Sequence, residues 1–338
     1  MLSRTAASAS TPGPRRRHDP HQLTPHGEND LHHYRGRDPD LAPINATYSE
    51  VDRWLKANGS AAASLTSSVA YAPTFSDQSF PAGVEEVRNL WTSGGRVSWL
   101  GGPAVAPLET WPQAASGLPL AHVITICLED LHGVSEAKVK AGWPLHDEGL
   151  PTAGALEVFH DLRTFGQEAD DAAAGAWLVR WTAAPDRSLL IQGPDTSALD
   201  GYPSAAVCQA GTFLPPWNLP AVFDFAQATA GVFDAAQDLR EGYGRAWMVQ
   251  RQIPYRGAPY NTTHAYGHAQ HASRTAEEVL SVVLPLADGD RHRLLLGVES
   301  YTHLSGWFGD LGNLQVWMRQ SDLEGCNFDA AWCMVRTD

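Results

Sequence analysis

Three histidines, His264, His268 and His271, stand at i, i+4 and i+7. On a helix that spacing projects all three from one face, where three imidazoles would hold Zn²⁺ beside an open position. The chemistry would be metal-assisted hydrolysis. Two features oppose it: Gly267 lies inside the run with Pro259 shortly before it, and no carboxylate occupies a zincin position. A polar loop with one structural histidine is the competing expectation. A second set, Asp310, Arg319 and Asp322, joins carboxylates to a planar guanidinium fork suited to an anionic or peptide ligand. Its plainer reading is turn chemistry for Asp310, a helix start for Asp322 and an exposed strand end for Arg319. Trp99, Trp111, Trp307 and Trp317 form a third set, a stacking platform for sugars or peptide side chains if exposed and core packing if not.

Other chemistry finds less support. No G-x-S-x-G elbow is present, and no Cys or Ser stands beside a His in a nucleophile pattern. Glu129 and Asp130 are adjacent, so on a strand they would face opposite ways. Glu157, Asp161 and Glu299 read as surface or strand-end residues. Cys127, Cys208, Cys326 and Cys333 form no CxxC pair, and Cys127 sits in an apolar run that suits a buried thiol. The candidate binding residues are therefore Trp111, Trp307, Asp310, Arg319, Asp322 and His264. No catalytic residue and no cofactor are expected.

The elements that must position these residues follow from periodicity. Val51, Trp54 and Leu55 predict a helix over 48–58, with Thr47 or Ser49 to cap it and Gly59 to end it. A second helix is predicted over 83–91. Strands are expected from Val97 to Leu100, ending at Gly101-Gly102-Pro103, from Leu120 to Leu128, and from Ala176 to Trp181. Ala276 to Leu286 begins helically and stops at Pro285. The stretch from Val222 to Leu239 is mixed, and 245–260 carries no clear period. Near the C-terminus Leu314, Val316 and Met318 alternate with Gln315, Trp317 and Arg319 after a Gly309-Asp310-Leu311-Gly312-Asn313 hairpin loop. Ser321 with Glu324 has the form of a capping box.

Gly154-x-Leu156-x-Val158-Phe159 is repeated, residue type for residue type, by Gly312-x-Leu314-x-Val316-Trp317 at an offset of 158. Each copy follows an apolar strand, so the chain is read as a duplication. A cleft between the related units is the natural place for a ligand. Residues 1–44, rich in Pro, Arg, His, Ser and Thr, are read as a disordered tail. Residues 45–338 are expected to form one domain with duplicated halves at about 97–200 and 245–338.

These motifs resemble those of the YwqG-like family of uncharacterised proteins. The likeness rests on Leu100-Gly101-Gly102-Pro103 with Trp111-Pro112, and on Pro119-Leu120 leading to Leu128-Glu129-Asp130-Leu131. It continues through Leu150-Pro151 with Gly154, Leu156 and Phe159, through His264, Gly267 and Gln270, and through the C-terminal hairpin with Arg319, Asp322-Leu323 and Phe328 to Trp332. The resemblance implies an α+β fold of two related, mostly antiparallel β units with packing helices, and no established activity. The family usually carries Gln where this chain has Thr125 and Gly297. Some relatives are thought to sit among bacterial toxin and immunity genes, which implies an immunity-like inhibitor.

Composition narrows the partners. The net charge of −14 repels nucleic-acid phosphates and anionic lipid heads and suits a basic protein. A 43% hydrophobic content with 12 Trp supports a folded body, and no apolar run approaches the ~20 residues of a membrane span. No secretory signal is visible, so a cytoplasmic location is expected. The function expected is binding, most directly of another protein, with metal-assisted hydrolysis and sugar binding as alternatives.

Overall fold

The computed structural model describes residues 42–44, 46–78, 80–133, 142–143, 149–194, 207–251, 262–271, 273–309 and 312–337. The expected tail up to residue 41, and Asp310, lie outside them. In chain order the helices are α1 (Tyr48–Ala57), α2 (Ser60–Ala63), α3 (Val84–Thr92), α4 (Leu128–Gly133), α5 (Asp170–Ala173), α6 (Ala230–Arg251), α7 (Ser273–Val283) and α8 (Gln320–Glu324). The strands are β1 (Ala70–Tyr71), β2 (Thr74–Ser76), β3 (Ser98–Gly101), β4 (Ala104–Ala106), β5 (Ala121–Cys127), β6 (Ala155–His160) and β7 (Trp177–Thr182). They continue as β8 (Asp186–Ile191), β9 (Cys208–Leu214), β10 (Trp217–Asn218), β11 (His264–Ala265), β12 (His292–Glu299), β13 (Asn313–Arg319) and β14 (Trp332–Arg336).

Ten of these strands form one antiparallel sheet in the order β14-β13-β12-β11-β2-β9-β3-β5-β6-β7. The sheet curls into a nearly closed barrel, and the fold is α+β. Its order runs symmetrically outward from the β2-β9 pair, with β3, β5, β6 and β7 on one side and β11, β12, β13 and β14 on the other. Detail repeats across that centre. Gly101, the last residue of β3, and Gly102 have φ of 62° and 69°, and Tyr266 and Gly267, directly after β11, have φ of 58° and 69°. Register shifts fall between His122 and Ile124 in β5 and between Leu294 and Leu296 in β12. Ser98 Oγ accepts from Cys127 N, and Thr263 Oγ1 from Glu299 N, tying corresponding strand pairs at 3.1 and 3.2 Å.

Alternation divides each strand between two faces. Leu100, Ile124, Leu156, Val158, Phe213, Leu296, Val298, Leu314 and Val316 supply one continuous core shared by both halves. The opposite face carries separate clusters, around Trp91 and Trp99 beneath α3, and around Leu280, Leu294, Trp317 and Trp332 beneath α7. A further cluster, with Val51, Leu55, Tyr71, Trp217 and Trp247, gathers α1, α2 and α6.

α1 forms where its periodicity predicts it, and Thr47 closes a capping box: Thr47 Oγ1 accepts from Glu50 N, and Glu50 Oε2 accepts from Thr47 N at 2.7 Å. The box expected at Ser321 does not form. Ser321 turns its hydroxyl to Asp290 Oδ2 at 2.6 Å, and α8 begins at Gln320 with no side-chain cap. Glu129 and Asp130, expected on a strand, begin α4. Among the described residues, no helix is long and apolar enough to cross a membrane.

Leu156→Ala, in the shared core, is expected to cost about 2–5 kcal/mol, and Thr47→Ala only about 0.5–2 kcal/mol. Urea denaturation followed by far-UV circular dichroism compares the two. Equal costs would contradict a core common to both halves.

Candidate functional site

Glu157 was expected to serve a surface or strand-end role. It instead lies buried in the middle of β6, opposite Thr125 and Arg180. A carboxylate there survives because partners surround it. Glu157 Oε1 accepts from Val105 N at 2.9 Å, and Oε2 lies 2.5 Å from Arg180 Nη2. Arg180 also donates to Val105 O at 2.6 Å and to Pro107 O at 2.9 Å. Burial pushes the carboxyl pKa up, against the pull of the guanidinium. β4, held against β8 in a small second sheet, therefore lies over this face and presents the N–H of Val105 to Glu157 and the C=O of Val105 to Arg180.

Thr125 Oγ1 lies 2.9 Å from His122 Nε2 and 3.3 Å from Glu157 Oε1, while His122 Nδ1 meets Gly101 O at 2.7 Å. A carbonyl can only accept, so Nδ1 carries the proton and Nε2 offers its lone pair to the hydroxyl. The pairing has the form of a nucleophile and base, but both side chains are buried. The adjoining cavity, lined by Gly102, Trp111, His122 and Trp307, measures about 40 Å³, which is space for water rather than substrate.

The second half repeats the positions with other residues. Gln315 stands in β13 where Glu157 stands in β6, and its neighbour Gly297 corresponds to Thr125. Opposite Gly297 lies His264. A Cβ at Gly297 would come within 2.8 Å of His264 Nε2, so the absent side chain makes room for the imidazole. His264 Nδ1 meets Tyr266 O at 2.9 Å, which again leaves Nε2 as the acceptor. Trp317 Nε1 donates to Gln315 Oε1 at 3.0 Å, which leaves the Gln315 amide hydrogens. His264 Nε2, Gln315 Nε2 and both polar side-chain atoms of Asn313 are buried without a partner among the described residues.

A cavity of about 260 Å³ adjoins this half. Its walls include Tyr71, His268, Glu277, Arg293, Leu294 and Trp317. Gly267, Arg293 and Leu294 in its lining correspond in register to Gly102, Ala121 and His122, which line the small cavity of the first half. There Trp111 covers Phe159, the counterpart of Trp317, with ring centres 5.4 Å apart and its indole N–H on Leu120 O at 2.8 Å. In the second half Trp317 itself lines the larger cavity.

The sequence candidates are dispersed. His264 is in β11 rather than on a helix, because Tyr266 and Gly267 turn the chain with positive φ directly after it. His268 Nε2 is bonded to Ser68 O at 2.8 Å, and His271 is buried in the loop that follows. No group of three or more His, Cys, Asp or Glu placed to hold a metal ion occurs among the described residues. Trp99, Trp307 and Trp317 are buried and Trp111 is half-buried, so they form no exposed platform. Arg319 bonds Asp322 Oδ2 at 2.9 Å and Pro285 O at 2.8 Å, while Asp322 also accepts from Asn327, so this pair fastens the end of β13 to α8. The sequence reading missed Glu157, Arg180 and Gln315. The signal available was a polar residue at the same place in both copies of an apolar strand.

A family model described as a domain of unknown function, DUF1963, matches residues 98–336. The chain belongs to that family. The DUF1963 stretch runs from the first residue of β3 to the last of β14 and so contains both halves of the sheet except β2. A search of curated proteins gave no match.

Removing one partner of the buried pair leaves an uncompensated charge, so Arg180→Met is expected to destabilise by about 3–5 kcal/mol. Glu157→Gln in the same chain should recover part of that loss, as read from urea midpoints. An additive double variant would mean that the two groups do not interact.

Burial holds His122, His160 and His264 at about 4, below their usual 6.5. Unfolding lets them take protons below 6.5, so their stabilising contribution is lost as pH falls from there towards 4. Asp130 has the opposite sign: burial raises it from 3.8 to about 6, and its contribution is lost as pH rises through that value. Asp130→Asn is therefore expected to steepen the loss of stability between pH 6 and 4, measured as urea midpoint against pH. A shallower profile would overturn the assignment.

Proposed function

We propose that this protein acts by binding, and that the cavity of its C-terminal half takes a protruding side chain of a protein partner. One observation carries the reading. Of two cavities whose linings share corresponding residues, the one lined by Trp111 holds about 40 Å³ and the other about 260 Å³. That volume lies just below the roughly 300–1,000 Å³ of drug-sized ligand sites, which suits one large side chain or a small molecule. Its lining joins Trp317, Leu294 and Ala269 to Glu277, Arg293 and His268, an apolar floor with a few polar groups for orientation. The net charge of −14 favours a basic partner and speeds its approach. Likeness to the YwqG-like motifs supports the same reading in its finer form, an immunity-like inhibitor.

The test uses N-acetyl-leucine methylamide and N-acetyl-arginine methylamide as probes, with the indole N–H signals of ¹⁵N-labelled protein as the readout. The Trp317 signal, assigned through Trp317→Phe, is expected to shift on titration. Glu277→Trp, which fills the cavity mouth from an exposed helix position, is expected to abolish the shift without lowering Tm by more than a few degrees. Failure of both probes to move Trp317 would overturn the reading.

A further inference from the structure

Several polar groups that line the larger cavity have already given their hydrogens to the chain around them. His268 Nε2 meets Ser68 O at 2.8 Å, and His292 Nε2 meets Leu284 O at 2.8 Å. A carbonyl only accepts, so each Nε2 carries the hydrogen and each Nδ1 is the acceptor of its neutral ring. Burial lowers the pKa of His268, which keeps that ring neutral. Ser273 Oγ donates to Asp224 Oδ2 at 3.0 Å and keeps its lone pairs, and the Trp317 indole N–H is given to Gln315 Oε1 at 3.0 Å. Glu277, in the same lining, adds an exposed carboxylate that no described residue holds by hydrogen bond or ion pair. Its neighbour Glu278, by contrast, is bound to Arg274 Nε at 3.1 Å. Arg293 is the cation of the lining, and its guanidinium donates to Gln320 Oε1 at 2.7 Å, at the start of α8.

Acceptors in excess call for a guest rich in donors. A metal ion would need three such groups gathered at one point, and no three His, Cys, Asp or Glu are so placed among the described residues. A guanidinium suits acceptors spread beside an indole, because it carries five N–H donors on a planar fork and stacks on aromatic faces. An ammonium concentrates three donors at one point and reaches fewer of them.

We propose that the guest of this cavity is an arginine side chain of a basic partner protein, its guanidinium paired with Glu277 and laid against Trp317. The inference rests on the cavity reading above and names the side chain that the cavity takes. The net charge of −14 draws such a partner in, and Glu277 is the specificity-determining residue.

The test compares N-acetyl-arginine methylamide with N-acetyl-citrulline methylamide, which keeps the shape but replaces the guanidinium by a neutral urea, and with Nα-acetyl-lysine methylamide. Titrated into the full chain and followed at the Trp317 indole signal, the arginine probe is expected to bind at least fivefold more tightly than either of the others. Glu277→Gln, at an exposed helix position, is expected to weaken the arginine probe about two- to fivefold, the range of a partly exposed ion pair, and to narrow its advantage over citrulline. If arginine and citrulline move Trp317 with equal affinity, or if Glu277→Gln leaves their ratio unchanged, the guanidinium inference is overturned and the cavity reading stands. Tighter binding of free L-arginine than of the capped probe would assign the cavity to the free amino acid and overturn the partner protein as its source. If no probe moves Trp317, the inference and the cavity reading both fall.

Discussion

A sheet buried on both faces must find a hydrogen-bond partner for every polar side chain it encloses, and much of this molecule's form follows from that requirement. One face meets it by carrying almost none: Leu100, Leu156, Val158, Leu314 and Val316 build an apolar interior common to both halves. The other face carries Glu157, Thr125, His264 and Gln315, all enclosed. Over the first half, β4 and β8 cover this row and Val105 answers its charges. Over the second, the corresponding atoms stay open. The asymmetry is chemical, since strand order, register shifts and positive-φ turns are repeated almost step for step.

Periodicity made the long elements legible. α1, α3, β5, β6, β12 and β13 lie within a few residues of where alternation or helical spacing places them, because each buries one well-defined face. Strands of two or three residues, such as β2, β10 and β11, are too short to show a period and exist only through their neighbours. α6 was equally hard to read: its apolar residues are spread around the helix, with Gly231, Gly242 and Gly244 interrupting them. The triple histidine pattern misled because spacing matters only if the backbone is helical, and the φ of Tyr266 and Gly267 breaks the helix it would need. Glu157 was misjudged for a related reason. Its partners Val105 and Arg180 lie 52 and 23 residues away, and no local window reports them.

The DUF1963 stretch begins at Ser98, yet the sheet is joined at its centre by β2, which pairs with β9 on one side and β11 on the other. Phe75 enters the shared core from this short strand and packs edge-on against Phe213 at 6.0 Å. The residues before Ser98 are thus structural partners of the family region. They supply the seam between its halves, and α3 roofs the Trp99 side of the first.

The margins of the ten-stranded sheet face each other rather than solvent alone. Trp177 on β7 reaches across to Ala331 O at 3.0 Å, Trp332 donates to Gly166 O at 2.7 Å, and Val335 N donates to Phe165 O at 2.9 Å. Gly166 runs so close to β14 that a Cβ there would strike Cys333 O. Exposed strand margins are templates on which further copies of a chain stack and grow into fibres. Here the β14 margin already holds a backbone partner from the same molecule at Val335, which blunts it as a ladder for a second copy.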